Sequence, residues 1–276
     1  MARRRLSQRT GKSEPDGPYE GVPPHLTHLL EHWFDSVLSS GPGGYFSNTE
    51  TIRELASFMR TSVPAGWDAH DVAAGLLKLG RANGDYFLDL IDGLLQLRGS
   101  ETNGRALARL LETSGSVWTV ADDNRSLIRV VSDQTQSTYE IATSPEDDAS
   151  EELREAWTNA FGRDGDPSDA WDHAIKAVED VLIPAVVPNQ AKANLGHVVG
   201  QLRNQGNQWK LVLPGKAQDH DVSPLVGMLD VIWPNHDRHG GVSSKRQPSE
   251  EEARAVVTLA STIVQWHREG WVVQRR

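Results

Sequence analysis

The groups best suited to chemistry lie between residues 235 and 246. Asn235-His236-Asp237-Arg238-His239-Gly240-Gly241 brings together two histidines, a carboxylate, an amide and a guanidinium, and Ser243, Ser244, Lys245 and Arg246 follow at once. Histidine exchanges a proton near neutral pH, a guanidinium forks onto a phosphate, and an amide both donates and accepts hydrogen bonds. In metal-free phosphodiester cleavage, His239 would be the base or acid acting on a ribose 2′-hydroxyl while Arg238 and Asn235 hold the charged phosphorane. Gly240 would let backbone approach the ligand, and Ser243, Ser244, Lys245 and Arg246 would add phosphate contacts. His236 and Asp237 could join His239 around a metal ion, but three close residues on a bend have no anchoring helix. The plainer alternative is a polar helix-to-loop corner, closed by Pro234 before it and Gly240-Gly241 within it.

The elements that must position this stretch are helices. Leu225, Met228, Leu229 and Ile232 recur at helical spacing and run directly into it. After the loop to Pro248, Ser249 and Glu252 have capping-box spacing and open a final helix bearing Val256, Leu259, Ala260, Ile263 and Val264. Upstream, Leu153, Ala156, Trp157 and Ala160 mark one helix. Trp171, Ala174, Ile175, Val178, Val181 and Leu182 mark a second, started near Asp166-Pro167 and ended by Pro184 and Pro188. Leu195, Val198, Val199 and Leu202 mark a third. On the second of these helices Lys176 and Glu179 stand one turn apart, the spacing of a solvated ion pair. Val272 and Val273 are left for a short strand or an apolar tail.

The first half reads as a separate helical bundle over residues 23–115. Pro24 suits the first turn of a helix through Leu26, Leu29, Leu30, Trp33, Phe34 and Val37. That helix carries His25, His28 and His32, of which at least His28 and His32 can share a face as a metal pair, with no carboxylate or fourth ligand indicated. Ser47 and Glu50 have capping-box spacing before a run through Ile52, Leu55, Phe58 and Met59. Helices over 68–79, 85–97 and 102–111 follow, punctuated by Gly80, Gly84, Gly99 and Gly104.

Between the halves the period shortens. Val117–Val120, Leu127–Val131 and Thr138–Ala142 are β-branched or aromatic runs separated by polar turns, which predicts a three-stranded antiparallel meander over 116–144. A sheet that small must pack against helices to persist. Pro145 and three acids within 144–150 mark the domain boundary, leaving 145–276 as the second helical domain. The expected fold class is therefore mainly α, with a small β connector.

Composition limits what such a protein can do. With 38% hydrophobic and 24% charged residues and nine tryptophans in 276, the chain has the make-up of an ordinary globular protein. Its net charge of −10 argues against a general nucleic-acid coat, so any contact with RNA must be local. With no cysteine, thiolate metal sites, disulfides and Cys nucleophiles are excluded. Residues 1–22 read as a solvated basic tail around Arg3, Arg4, Arg5, Arg9 and Lys12. No apolar run follows those arginines, and none approaches a membrane span, so a cytoplasmic location is expected, with no membrane partner.

Three segments carry a family resemblance: Ala-Ile-Lys-Ala-Val-Glu at 174–179, Asn-His-Asp-Arg-His-Gly at 235–240, and Glu-Ala-Arg-Ala-Val-Val-Thr-Leu-Ala at 252–260. Together they resemble the C-terminal domain of abortive-infection proteins of actinobacterial type, within the wider HEPN group. The resemblance covers roughly residues 150–276. It implies a bundle of four or five helices, homodimerisation across the motif, and, in active members, metal-independent RNA cleavage in phage defence or toxin–antitoxin systems, without a cofactor. An antitoxin or a phage trigger would then be a partner. Active members carry an Arg, usually followed by a polar residue, with a His four to six positions after the Arg. Asn235 and His239 match the second half of that signature, but Pro234 stands at the arginine's position. Arg238 or Arg203 would have to supply the guanidinium, and Glu179 would face the cleft to orient His239 or Arg238. The alternative is a catalytically inactive module of the same fold that dimerises or binds RNA or a partner.

Overall fold

The computed structural model describes residues 6–10, 12, 17–39, 48–234 and 246–276. The chain divides into two compact units, Met1–Val130 and Val131–Arg276. Both are mainly helical, and the division falls ahead of the 144–150 stretch marked by composition.

The first unit contains α1 (Leu6–Arg9), α2 (Pro24–Leu38), α3 (Thr49–Phe58), α4 (Ala69–Ala82), α5 (Gly84–Arg98) and α6 (Glu101–Ser114). A hairpin of β1 (Trp118–Val120) and β2 (Leu127–Arg129) completes it, with Thr119 opposite Ile128. Its core is the apolar stripe of each helix, with Leu30 and Phe34 of α2, Leu55 of α3, Leu76 of α4 and Leu90 of α5 fully buried. Side chains cap the helix starts and satisfy N–H groups that the helix itself leaves open. Asp68 and Asp71 form a capping box on α4, Asn83 caps α5 and Ser100 caps α6. Tyr19, grouped with the basic tail by composition, is drawn into this unit. It bridges to Ser116, donates its N–H to Gly115 O at 2.8 Å and accepts from Val117 N at 3.0 Å.

Two glycines read as helix punctuation lie inside helices instead. A Cβ on Gly80 would stand 3.0 Å from the Phe87 ring, and one on Gly104 would stand 2.1 Å from Asn124 Oδ1. Close approach, not helix ending, accounts for both. Ser47 and the Arg3–Arg5 cluster lie outside the described residues.

The second unit runs α7 (Asp133–Ala142), α8 (Asp148–Phe161), α9 (Pro167–Val186), α10 (Leu195–Asn204), a 3-10 turn at Gly206–Gln208, β3 (Trp209–Lys210), α11 (Ser223–Ile232), α12 (Glu250–Arg268) and β4 (Gln274–Arg275). The long α9 is the central element, packing against α8, α10 and α12, while α12 also meets α7, α8 and α11. Asp166 with Pro167 starts α9, and Ser249 with Glu252 forms the capping box of α12, both as their spacing predicts. The chain's end pairs β4 with β3 in an antiparallel two-stranded sheet, and Val272 is buried just before it.

Two sequence expectations need correction here. The sheets among the described residues are two-stranded, and the run expected as a third strand, Thr138–Ala142, is the second half of α7. Tyr139 and Ile141 mimic a period of two, but Ser132 caps the helix through Thr135 N, and Thr138 and Ala142, one helical turn apart, are the buried positions. Tyr139 then stacks on Trp157 at 4.1 Å, and Trp157 meets Phe161 at 4.2 Å. Second, α9 continues through Pro184 to Val186. In the last turn an exposed proline forfeits only the bond its N–H would have given to Asp180 O.

Candidate functional site

The ends of the 235–246 stretch are fixed by packing. α11 closes with Ile232 O accepting the Trp171 indole N–H of α9 at 2.7 Å. The next residue, Trp233, lays its ring on Gly196 of α10, where an added Cβ would meet it at 3.1 Å. On the far side Pro248 is buried, Ser249 caps α12, and Arg246 forks onto Glu252 at 2.7 and 2.8 Å. Asn235, His236, Asp237, Arg238, His239, Gly240, Ser243, Ser244 and Lys245 lie outside the described residues.

Glu179 is brought to the same place as Trp233. Its Oε1 accepts the backbone N–H of Leu195 at 2.7 Å, at the first residue of α10 and beside Gly196. Asn194 and His197 close that helix start with a capping box. One carboxylate and one indole therefore contact consecutive residues at the start of α10. Glu179 and Lys176 do not form the pair their spacing offers, because Lys176 Nζ reaches Glu152 Oε2 of α8 at 3.6 Å. Arg203, near the other end of α10, bonds Asp230 of α11.

A second group of titratable side chains was not singled out from the sequence. On α9, Asp169, His173, Lys176 and Asp180 recur at three- and four-residue steps and form one stripe, about half a turn from Trp171, Ile175 and Leu182. His173 Nδ1 lies 2.5 Å from Glu152 Oε2 and its Nε2 lies 3.7 Å from Asp169 Oδ2. An imidazole between two carboxylates has its ring orientation fixed by both neighbours. Asp180 has the opposite surroundings. Partial burial, reinforced by Glu152, Asp148, Glu179 and Asp147, pushes its carboxyl up to about 6. The stripe's own spacing was the available signal, but its meaning depends on Glu152, which comes from another helix.

Asp147, next to this group, is held in the opposite direction. Burial alone would raise it, but the Arg268 guanidinium at 2.7 Å and the Ser150 N–H bring its carboxyl below the ordinary value. Arg268 also reaches Ser150 Oγ at 3.3 Å and Ala142 O at 3.4 Å, clamping the α7–α8 junction from the end of α12.

In the first unit the three histidines of α2 do not assemble. His25 Nε2 contacts Ser114 O at 3.1 Å and His28 Nδ1 contacts Glu31 at 3.3 Å. Among the described residues no group of three or more His, Asp and Glu side chains is arranged to hold a metal ion, and no helix is long and apolar enough to cross a membrane.

No protein-family model, curated protein or solved structure matches the chain.

Proposed function

We propose that the second unit is a HEPN-type helical domain of the abortive-infection class, acting in the cytoplasm as a metal-independent endoribonuclease. His239 transfers the proton to or from the ribose 2′-hydroxyl, Arg238 and Asn235 bind the phosphate, and Asp237 and His236 support them. The observation that carries this reading is that Glu179 and Trp233 contact consecutive residues of α10, Leu195 and Gly196. A carboxylate held at the start of α10, where Trp233 also packs, supports a role for Glu179 in orienting a histidine or arginine of the segment that follows.

The test is cleavage of bulk tRNA by the purified full chain in EDTA. His239→Ala is expected to lower the rate about 100-fold or more. Arg238→Ala should lower it by a comparable factor, and Glu179→Gln by less, with an altered pH profile. Intact RNA with the wild-type chain, together with no growth arrest on expression under phage challenge, would overturn the nuclease.

A second reading, an inactive module that dimerises or binds RNA or a protein trigger, is favoured by one specific pair of observations. Pro234 stands where active members have arginine, and Arg203, the substitute on the preceding helix, is bonded to Asp230. Arg238 is then the guanidinium left to the nuclease reading within the motif itself. Binding of RNA without cleavage, unchanged by His239→Ala, would select this second reading. Either reading uses a homodimer, and a monomer by light scattering at micromolar concentration would remove it.

A further inference from the structure

Residues 212–219 are exposed without interruption, so the chain between β3 and α11 projects from the second unit as a loop. Of the four large apolar side chains exposed among the described residues of that unit, three are here: Val212 at 43%, Leu213 at 52% and Trp271 at 41%. Val212 donates its N–H to Trp271 O at 3.2 Å, so loop and tryptophan lie side by side. Alternation along the chain sets their aim, since Trp209 and Leu211 are buried while Val212 continues the outer side of Lys210. The loop is held by its own bonds. Leu211 N–H donates to His220 O at 2.9 Å, His220 N–H to Pro214 O at 3.1 Å and Gln218 N–H to Gly215 O at 3.2 Å. Leu211 O accepts from His220 Nδ1 at 2.9 Å. Gln218 and His220 take left-handed backbone at φ +55°, which disfavours any residue with a Cβ. Packing of the fold does not account for a preformed loop that keeps bulky apolar groups in water.

Charge and shape decide what the loop meets. From Val212 to Gln218 the tip carries one cation, Lys216, and no acid, in a chain whose net charge is −10. Lys210 of β3 and Arg275 of β4 stand at its root, and these three cations make no ion pair among the described residues. Of the carboxylates at this end, Asp219 accepts the Asp221 N–H at 3.4 Å, Asp221 is engaged by Ser223 and Arg276, and Glu269 closes α12. Two aliphatic side chains give a nucleic acid nothing to stack on, and a projecting tip gives a small ligand no cleft. Aliphatic tip, tryptophan and cations in that order match the layers of a bilayer surface: acyl chains, headgroups and anionic phosphates. We infer that the 212–218 loop and Trp271 form a peripheral attachment site for an anionic lipid surface. Val212 and Leu213 enter the acyl boundary, Trp271 lies at headgroup depth, and Lys216, Lys210 and Arg275 meet lipid phosphates. Such contact lies on the bilayer and needs no spanning helix.

The test is co-sedimentation of the full chain with vesicles of phosphatidylcholine alone and of phosphatidylcholine mixed with phosphatidylglycerol. Wild type should sediment with the anionic vesicles more than with the neutral ones, and added salt should release it. Leu213→Asp should weaken binding to the anionic vesicles about tenfold or more, and Lys216→Gln about fivefold. Leu79→Asp, at an exposed leucine of the first unit, should leave binding unchanged. Leu213 and Lys216 are both exposed, so thermal melts of their variants should match wild type. No sedimentation, equal binding to the two kinds of vesicle, or wild-type binding by Leu213→Asp overturns the site. So does a dimeric mass in light scattering that falls to monomer in Leu213→Asp, which assigns the tip to a second copy of the chain. RNA cleavage plays no part in the readout, so failure of this inference and failure of the ribonuclease reading are separate results.

Discussion

Asp92 in the first unit and Asp180 in the second are both carboxylates on the central helix of a bundle, and their surroundings differ in kind. Asp92 is 2% exposed, but its oxygens are matched, accepting Leu127 N–H at 2.5 Å and Gln96 Nε2 at 2.8 Å. It ties α5 to the hairpin. Asp180 is opposed in its ionisation by partial burial first and then by Glu152, Asp148, Glu179 and Asp147 around it. In the first unit, then, the buried carboxylate serves the fold. In the second, like charges are kept together at a cost in stability, and the indole Nε1 of Trp209 is buried with no acceptor among the described residues. Both are costs to the fold that the second unit carries and that the matched Asp92 of the first unit does not.

The largest effect should come from breaking the satisfied side of the comparison. Asp92→Ala strands the Leu127 N–H in the core, and the loss should be about 2–3 kcal/mol. Asp92→Asn keeps one acceptor and should lose about half as much. Hydrogen exchange at Leu127 reads the change locally, and urea unfolding of the full chain reads it globally. A loss below about 0.5 kcal/mol for the alanine variant would mean the carboxylate does not hold the hairpin, and the contrast would dissolve.

Next comes Arg268, which pairs with Asp147 in the second unit. Arg268→Met keeps much of the stem but removes the bonds to Asp147, Ser150 and Ala142, with an expected loss of about 1–2 kcal/mol at neutral pH. The sign with pH follows from Asp147. Its folded pKa lies below its unfolded one, so its contribution is present above the unfolded value near 3.8 and disappears as pH falls through the folded value. The part of the gap between wild type and Arg268→Met that comes from Asp147 should close in thermal melts below about pH 4. A gap independent of pH down to 3 would assign the effect to packing alone.

How much of this was legible in the sequence depends on whether the cause was local. Ser249 with Glu252, and Asp166 with Pro167, announce helix starts because a cap and its N–H lie within one turn. The apolar stripes of α2 and α9 follow from spacing alone. Thr138–Ala142 misleads because Tyr139 and Ile141 alternate, and the partner that settles the matter, Trp157, is on α8. Gly80 and Gly104 mislead because Phe87 and Asn124, which need the space, belong to other elements. Resemblance alone gave Glu179 a cleft-facing role toward His239 or Arg238, which lie outside the described residues; the contact it makes is with Leu195, sixteen residues on and across a loop. The His173–Glu152 pair was invisible for a related reason, since a stripe on one helix does not say what faces it.

The smallest effect tests the unsatisfied side. Asp180 has a folded pKa near 6, above the unfolded value of 3.8, so its contribution is fully present below the unfolded value and is lost as pH rises through about 6. At neutral pH the ionised carboxylate therefore costs stability. Because the side chain is only partly buried, solvent screening limits that cost to no more than about 1 kcal/mol. Asp180→Asn should accordingly raise the melting temperature at pH 7.5 and leave it unchanged at pH 4, with the crossover near pH 6. Added salt should shrink the gain, since it screens Glu152, Asp148, Glu179 and Asp147 alike. If the gain is equally large at pH 4, the carboxylate cluster is not its cause. The second unit would then carry no stored electrostatic cost to set against the paired Asp92 of the first.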